Sequence, residues 1–364
     1  MEADSGPARE RFPVVIVGAG QAGLAAGYYL ARARVQFVML DAGGRIGDSW
    51  RNRWGSLRLF TPARMDGLPG MRFPASPNDR PTKDAMADYL ETYGDLFKLP
   101  VRSGVRVTAL DVMDGRYLLS ADGQQFEADQ VIVATGAYQT PRIPAFAADL
   151  ASEIQQLSAG DYIHPSQLRP GGVLVVGVGN SGAEIALEAG QAHATWLSGR
   201  STGTLSSALY TRPLWWVAMH ILTHSTPVGR RVMERQASRG APLVRIRPEE
   251  LTAAGIKRVV RTVGVENGKP RLEDGRVLEV SNVVWCTGFG HDFRWIHLPI
   301  FDAEGAPAHQ RGVVVSQPGL YFLGLPFLYS LTSPLVGGVG RDAEFITRQV
   351  LKGNGSSSVR GNRR

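Results

Sequence analysis

Two glycine-rich turns are the residues of this sequence whose types and spacing bring chemistry with them. Gly18-Ala19-Gly20-Gln21-Ala22-Gly23 and Gly177-Val178-Gly179-Asn180-Ser181-Gly182 share one spacing of three glycines. Such a turn bends tightly, lets backbone N–H groups approach a pyrophosphate, and aims a helix N-terminus at the anion. One turn alone is a weak signal. Two, each between a strand and a helix, read as sites for two dinucleotides. The end of the next strand meets the adenosine ribose, and there the two turns differ in charge. After the first stands Asp41, whose carboxylate accepts hydrogen bonds from ribose hydroxyls and repels a 2′-phosphate, which suits FAD or NAD. At the matching position after the second stands Arg200, followed by Ser201 and Thr202. A guanidinium there binds a 2′-phosphate, which predicts NADPH.

The elements that position these turns follow from hydrophobic patterning. Residues 12–17 form a short β-branched run of the buried parallel kind, 24–33 have helical composition, and 35–40 read as a second strand. Residues 173–176, 183–189 and 195–198 repeat the unit. The two copies align without a gap from turn to second strand, as an internal duplication. Residues 131–133 form a strand ending in Ala134-Thr135-Gly136, and 283–286 form another ending in Thr287-Gly288. One such junction follows each turn, which makes Thr135 and Gly136 candidate cofactor contacts. The expected fold class is α/β, with two Rossmann-like dinucleotide-binding domains (an FAD/NAD(P)-binding flavoprotein fold). The first domain is split over 1–165 and 290–364; the NADPH domain, 166–289, is inserted. The hinges fall at Pro141–Pro144 and near Gly290, and 353–364 read as a disordered tail.

Composition excludes several other classes. The chain has 364 residues and a formal net charge of +7, but its arginines are spread along its length. That argues against nucleic-acid binding. The lone cysteine, Cys286, reads as a small buried hydrophobe. It allows no disulfide within one chain, fits a reducing cytoplasm, and excludes electron transfer through a Cys-x-x-Cys pair. No signal peptide is visible, nor any apolar run near the ~20 residues of a membrane span, and a cytoplasmic location is expected. No metal-ligand constellation appears. Residues 205–222 hold Tyr210, Trp215, Trp216, Met219 and Ile221, ahead of Arg230, Arg231 and Arg235. The plain reading is a helix packed on the NADPH domain; the alternatives are a substrate funnel or a membrane-surface face.

From about residue 13 to 350 the sequence resembles the class B flavin-containing monooxygenases, above all the CzcO-type bacterial flavoproteins and plant YUCCA-type enzymes. Besides the two turns, the resemblance rests on Gly47-Asp48-Ser49-Trp50-Arg51, Ser56-Leu57-Arg58-Leu59-Phe60-Thr61-Pro62, Ala134-Thr135-Gly136 and Thr287-Gly288-Phe289. It implies FAD on the first turn, lined by Trp50 and Arg51. It implies NADPH on the second, with Asn180 and Ser181 near the pyrophosphate or nicotinamide ribose. It further implies hydride transfer to FAD, a C4a-(hydro)peroxyflavin, and insertion of one oxygen atom from O2 into a small organic substrate. Amines, thioethers, ketones and 2-oxo acids all suit that chemistry. The glycines 337, 338 and 340 open a helix that this reading aims at the flavin. Two alternatives remain: an NADPH oxidase or reductase without oxygen insertion, and a non-catalytic redox-sensing or transport-associated flavoprotein. The family fingerprint before the second turn keeps Gly160 and His164 but has Ser158 and Leu168 for its aromatics. Phe60 stands where animal members carry an active-site Asn. Catalytic residues and oligomeric state are left open.

Overall fold

The computed structural model of the chain describes residues 9–200, 203–205, 211–239 and 242–360, apart from the side chains of 212, 236–239 and 354–360. β1 (Arg9–Val17) runs into α1 (Gln21–Arg32) and returns as β2 (Phe37–Asp41), parallel to β1 with Val17 opposite Leu40. Val14, Val15 and Ile16 have no exposed surface, which is why this strand reads as an unbroken apolar run. α2 (Asp48–Arg51) and α3 (Lys83–Leu96) follow. Then come β3 (Val101–Ser103), β4 (Val107–Met113), β5 (Arg116–Ala121) and β6 (Gln124–Val133). The sheet runs β3-β2-β1-β6-β5-β4, and a late strand, Leu320–Phe322, adds to β6 in parallel.

The chain leaves this sheet through β7 (Thr140–Pro141) and enters a second one with β8 (Gln155–Ser158) and β9 (Val173–Val176). α4 (Asn180–Ala189) and β10 (Thr195–Ser198) complete the second β-α-β unit. α5 (Arg212–His220), α6 (Pro227–Arg239) and α7 (Pro248–Ala253) precede β11 (Lys257–Val259). A hairpin, β12 (Thr262–Glu266) and β13 (Lys269–Leu272), leads to β14 (Asn282–Trp285). The second sheet runs β11-β10-β9-β14-β8, all parallel. β8 lies ahead of residue 166, where the sequence places the start of the inserted domain; pairing with β14 draws it into this sheet. The chain returns through β15 (Phe289–Gly290), which pairs antiparallel with β7, so the two crossings form one ribbon.

After β16 (Leu320–Phe322), α8 (Val336–Arg360) packs along α1. This helix passes residue 353, where composition leads one to expect disorder; 361–364 lie outside the described residues. The fold is α/β, with two Rossmann-like dinucleotide-binding domains. In each sheet the strand that leads into the glycine turn, β1 or β9, sits between its own β-α-β partner and the strand of the Thr-Gly junction. That is the switch point where such sheets hold ligands. Among the described residues no helix is long and apolar enough to cross a membrane.

Candidate functional site: two dinucleotide cradles

Within the first turn, each glycine answers a different demand. Gly18 has φ +104°, donates its N–H to Leu40 O at 2.8 Å, and lies so close to β6 that a Cβ would sit 2.6 Å from Ala134 O. A Cβ on Gly23 would overlap the carbonyl oxygen of Gly18. Gly20 is the exception: a Cβ there would meet no atom within 4 Å. It caps α1 with no side-chain hydrogen bond, and no acid occupies that helix's first turn. The open space therefore faces unclaimed N–H groups and the positive end of a helix dipole, which suits a pyrophosphate.

The second turn repeats this arrangement. Gly177 has φ +115° and donates to Ser198 O at 2.8 Å; a Cβ there would overlap Cys286 O, and one on Gly182 would overlap Gly177 O. Gly179 faces open space, caps α4 without a side chain, and precedes a first turn free of acids. Gly136 and Gly288, the glycines of the two Thr-Gly junctions, have φ +80° and +94° and also face open space. Cys286 packs among these glycines, and burial pushes its thiol up to about 12. It is a packing residue.

The strand ends need one correction. The Gly18 and Gly177 bonds pair Leu40 with Ser198, so the second unit is one residue shorter and Gly199, not Arg200, matches Asp41. The cause is a shorter crossover helix, 10 residues in α4 against 12 in α1. The gap-free alignment does not hold, but the strand end is bare and Arg200 stands next to it. Arg200 is exposed and pairs with Glu273 at 2.8 Å. Ser201 lies outside the described residues, as do Thr202 and Tyr210. Asp41 staples its own turn: one oxygen accepts from Ala19 N at 2.6 Å, the other from Gly43 N at 2.8 Å.

Other predicted contacts separate into those that stay near the cradles and one that turns away. Trp50 donates its indole N–H to Gln21 Oε1 at 3.3 Å, and Gln21 Nε2 donates to Pro334 O at 3.3 Å. This ties three segments together at the start of α1. Arg51 turns instead to α3, reaching Asp88 and Glu91 at 3.0 Å each and the carbonyl of Ile46 at 2.6 Å. Its charge is used in holding the 47–51 turn. The Thr135 hydroxyl accepts from the Gln139 amide. Asn180 is clamped by a loop, donating to Pro242 O at 3.0 Å and accepting from Val244 N at 2.9 Å. Ser181 is half-buried beside it. His164 caps a short turn by accepting from Ser166 N, while Ser158 and Leu168 are buried.

A family model described as pyridine nucleotide-disulphide oxidoreductase matches residues 15–324. The chain belongs to this family. It is 39% identical to an uncharacterized CzcO-like oxidoreductase of Geobacillus kaustophilus, over 93% of this chain and 98% of that protein. It is 29% identical to a probable indole-3-pyruvate monooxygenase, YUCCA7, of Arabidopsis thaliana, over 76% of this chain and 73% of that one. Among solved structures, a flavin-containing monooxygenase from Stenotrophomonas maltophilia superposes with a TM-score of 0.78 at 28% identity. It covers 94% of this chain and 99% of its own. This pyridine nucleotide oxidoreductase is a flavin-dependent enzyme of the monooxygenase group, and its cofactors are FAD and NADPH. With a single cysteine per chain, the disulphide chemistry in the family's description has no intrachain cysteine pair to run on.

In this oxidoreductase the described helix of the aromatic insertion is fastened to the first domain, where its plain reading has it packed on the NADPH domain. Arg341 of α8 donates to Met219 O, His224 N to Tyr329 O at 3.0 Å, and Leu331 N to Leu222 O at 3.0 Å. These bonds fasten α5 and its following turn to the first domain. Trp215, Trp216 and Met219 thereby close a cleft of about 620 Å³ against Met65, Leu68 and Met71, with Arg64 and Arg72 also lining it. Gly337 forms part of its wall and packs against the Met65 carbonyl. The glycines that open α8 are thus filled by close neighbours, unlike Gly20 and Gly179.

Asp66, which no motif marks, lies fully buried in the segment that lines this cleft. One carboxylate oxygen accepts from the Thr61 hydroxyl; the other has no partner. Burial pushes its pKa up to about 7, against the Thr61 bond and the Arg80 charge. A raised folded-state value means the protonated form is favoured, so its stabilisation is present in acid and fades as pH rises from the usual carboxylate range through about 7. Asp66→Asn is therefore expected to be about 1–3 kcal/mol more stable than the parent at pH 8 and near-equal at pH 4. Urea unfolding at both pH values tests this, and equal midpoint differences would refute it.

Proposed function

We propose that this oxidoreductase is an NADPH-consuming monooxygenase that inserts one atom of dioxygen into a small, largely apolar organic substrate held in the α5 cleft. The observation that carries this reading is a shared wall. Pro334, whose carbonyl Gln21 of the FAD turn binds, leads directly into Gly337 of the cleft. A molecule there would therefore sit beside the flavin cradle. FAD held in the first cradle would supply the redox chemistry that couples NADPH to dioxygen. The protein's own residues position and exclude: Trp215 and Met219 cover one side and Met65 and Leu68 the other, with the exposed Trp216 also lining the cleft. The volume falls within the usual range of ligand pockets. The monooxygenase names of the YUCCA7 and Stenotrophomonas relatives support the same reading.

Turnover with labelled dioxygen tests it across a panel of amines, thioethers, ketones and 2-oxo acids. The expected result is one labelled oxygen in product per NADPH consumed with at least one class. Hydrogen peroxide equal to NADPH consumed, with no labelled product from any class, would replace this reading with that of an NADPH oxidase.

A further inference from the structure

α4, the helix that starts at the NADPH turn, carries two buried carboxylates, Glu184 and Glu188. Neither is needed to pack a helix on a sheet, and an unpaired charge there would be expensive. Both instead reach across to the other domain. The Trp54 indole N–H donates to Glu184 Oε2 at 3.0 Å, and Glu188 Oε2 accepts from the hydroxyl and N–H of Ser56 at 2.6 and 3.2 Å. Residues 54–56 follow directly on the 47–51 turn that supplies Trp50 to the FAD cradle.

On its far side Glu184 lies 3.2 Å from the Arg245 guanidinium, with only 2% of its own side chain exposed. Arg245 stands next in the loop whose Pro242 and Val244 clamp Asn180. The contacts thus run unbroken from the FAD-side segment, through Trp54, Glu184 and Arg245, to the first residue of the NADPH-binding helix. We propose that Glu184 is a positioning residue for hydride transfer: its carboxylate holds the NADPH turn in register with the FAD-side segment 47–56. This rests on the two cofactors and not on oxygen insertion.

Burial pushes Glu184 up to about 7; Arg245 and the Trp54 bond oppose the rise and Glu188 adds to it. The ionised form is the one that pairs with Arg245. Register is therefore expected to tighten as pH rises through about 7.

The test is anaerobic mixing of the FAD-loaded full chain with NADPH, following flavin bleaching. For Glu184→Gln the limiting rate at pH 8 is expected to fall roughly 10- to 100-fold, with FAD content unchanged and NADPH affinity within about threefold. Trp54→Phe, which removes the indole N–H together with part of the ring, should act in the same direction, and the double variant should be no worse than the slower single one. The parent's rate should climb between pH 6 and 8, and that of Glu184→Gln should be flat. Without any cofactor, the parent's tryptophan fluorescence should titrate near pH 7, and that of both single variants should lack the step. Parental bleaching rates in both variants, or a pH step that survives in Glu184→Gln, would overturn the proposal. Neither result depends on whether oxygen reaches a substrate.

Discussion

Replacing Gly20 by alanine is expected to give a folded chain that loses its FAD during purification. The backbone at Gly20, φ −76° and ψ −172°, is open to any residue, and a Cβ there meets nothing within 4 Å. The fold should hardly register the change, within about 0.5 kcal/mol. The added methyl does, however, occupy the space through which a pyrophosphate reaches the N-terminal N–H groups of α1. Losing one or two charge-assisted hydrogen bonds at about 1.5–3 kcal/mol each weakens binding by roughly 10-fold to more than 100-fold. Gly179→Ala should mirror this: flavin retained, reduction by NADPH impaired. Gly23→Ala should behave differently, because its Cβ would overlap Gly18 O and push α1 off β1. It is expected to cost about 1–3 kcal/mol of stability outright. Bound-flavin absorbance and melting temperature, read together, check all three. A Gly20→Ala protein as yellow as its parent would show that the open space is not the cradle.

What the sequence revealed and what it concealed divide along a physical line. The two turns, their strands and the Thr-Gly junctions were legible because their demands are local: three glycines and a strand end specify the bend. Even so, residue types did not fix the length of the second crossover. The chain turns at Gly190 after 10 helical residues, and the resulting one-residue slip moved Gly199 into the place expected for Arg200. The partners of Arg51 were hidden for a different reason. Its ties to Asp88 and Glu91 of α3 span 37 and 40 positions, and no local pattern around residues 47–51 announces them. The docking of α5 depends in the same way on Arg341, 122 positions from Met219. Trp54 and Glu184 lie 130 positions apart and carry no motif. Their only outward signal was a pair of glutamates four apart on a helix that otherwise reads as apolar.

Removing the Arg200 side chain is expected to abolish most of the preference for NADPH over NADH. Its pairing with Glu273 joins side chains that are 71% and 43% exposed, so it is worth little in water and can be exchanged for a phosphate. A 2′-phosphate offers a doubly charged partner for the same planar donor. Arg200→Ala should therefore raise KM for NADPH about 10- to 100-fold and leave NADH nearly unchanged. Glu273→Gln, which frees the guanidinium, should lower KM for NADPH a few-fold, more so at low salt. Copying the first domain's solution would fail, however. An aspartate at Gly199, the residue matching Asp41, would have to adopt φ +146° with its Cβ 3.0 Å from Val178 Cγ1. Gly199→Asp should lower the melting temperature without creating an NADH enzyme, whereas Arg200→Glu should repel the 2′-phosphate with the backbone undisturbed. Steady-state kinetics with both nicotinamides separates these outcomes. Equal KM ratios in the parent and in Arg200→Ala would mean that some other residue reads the phosphate.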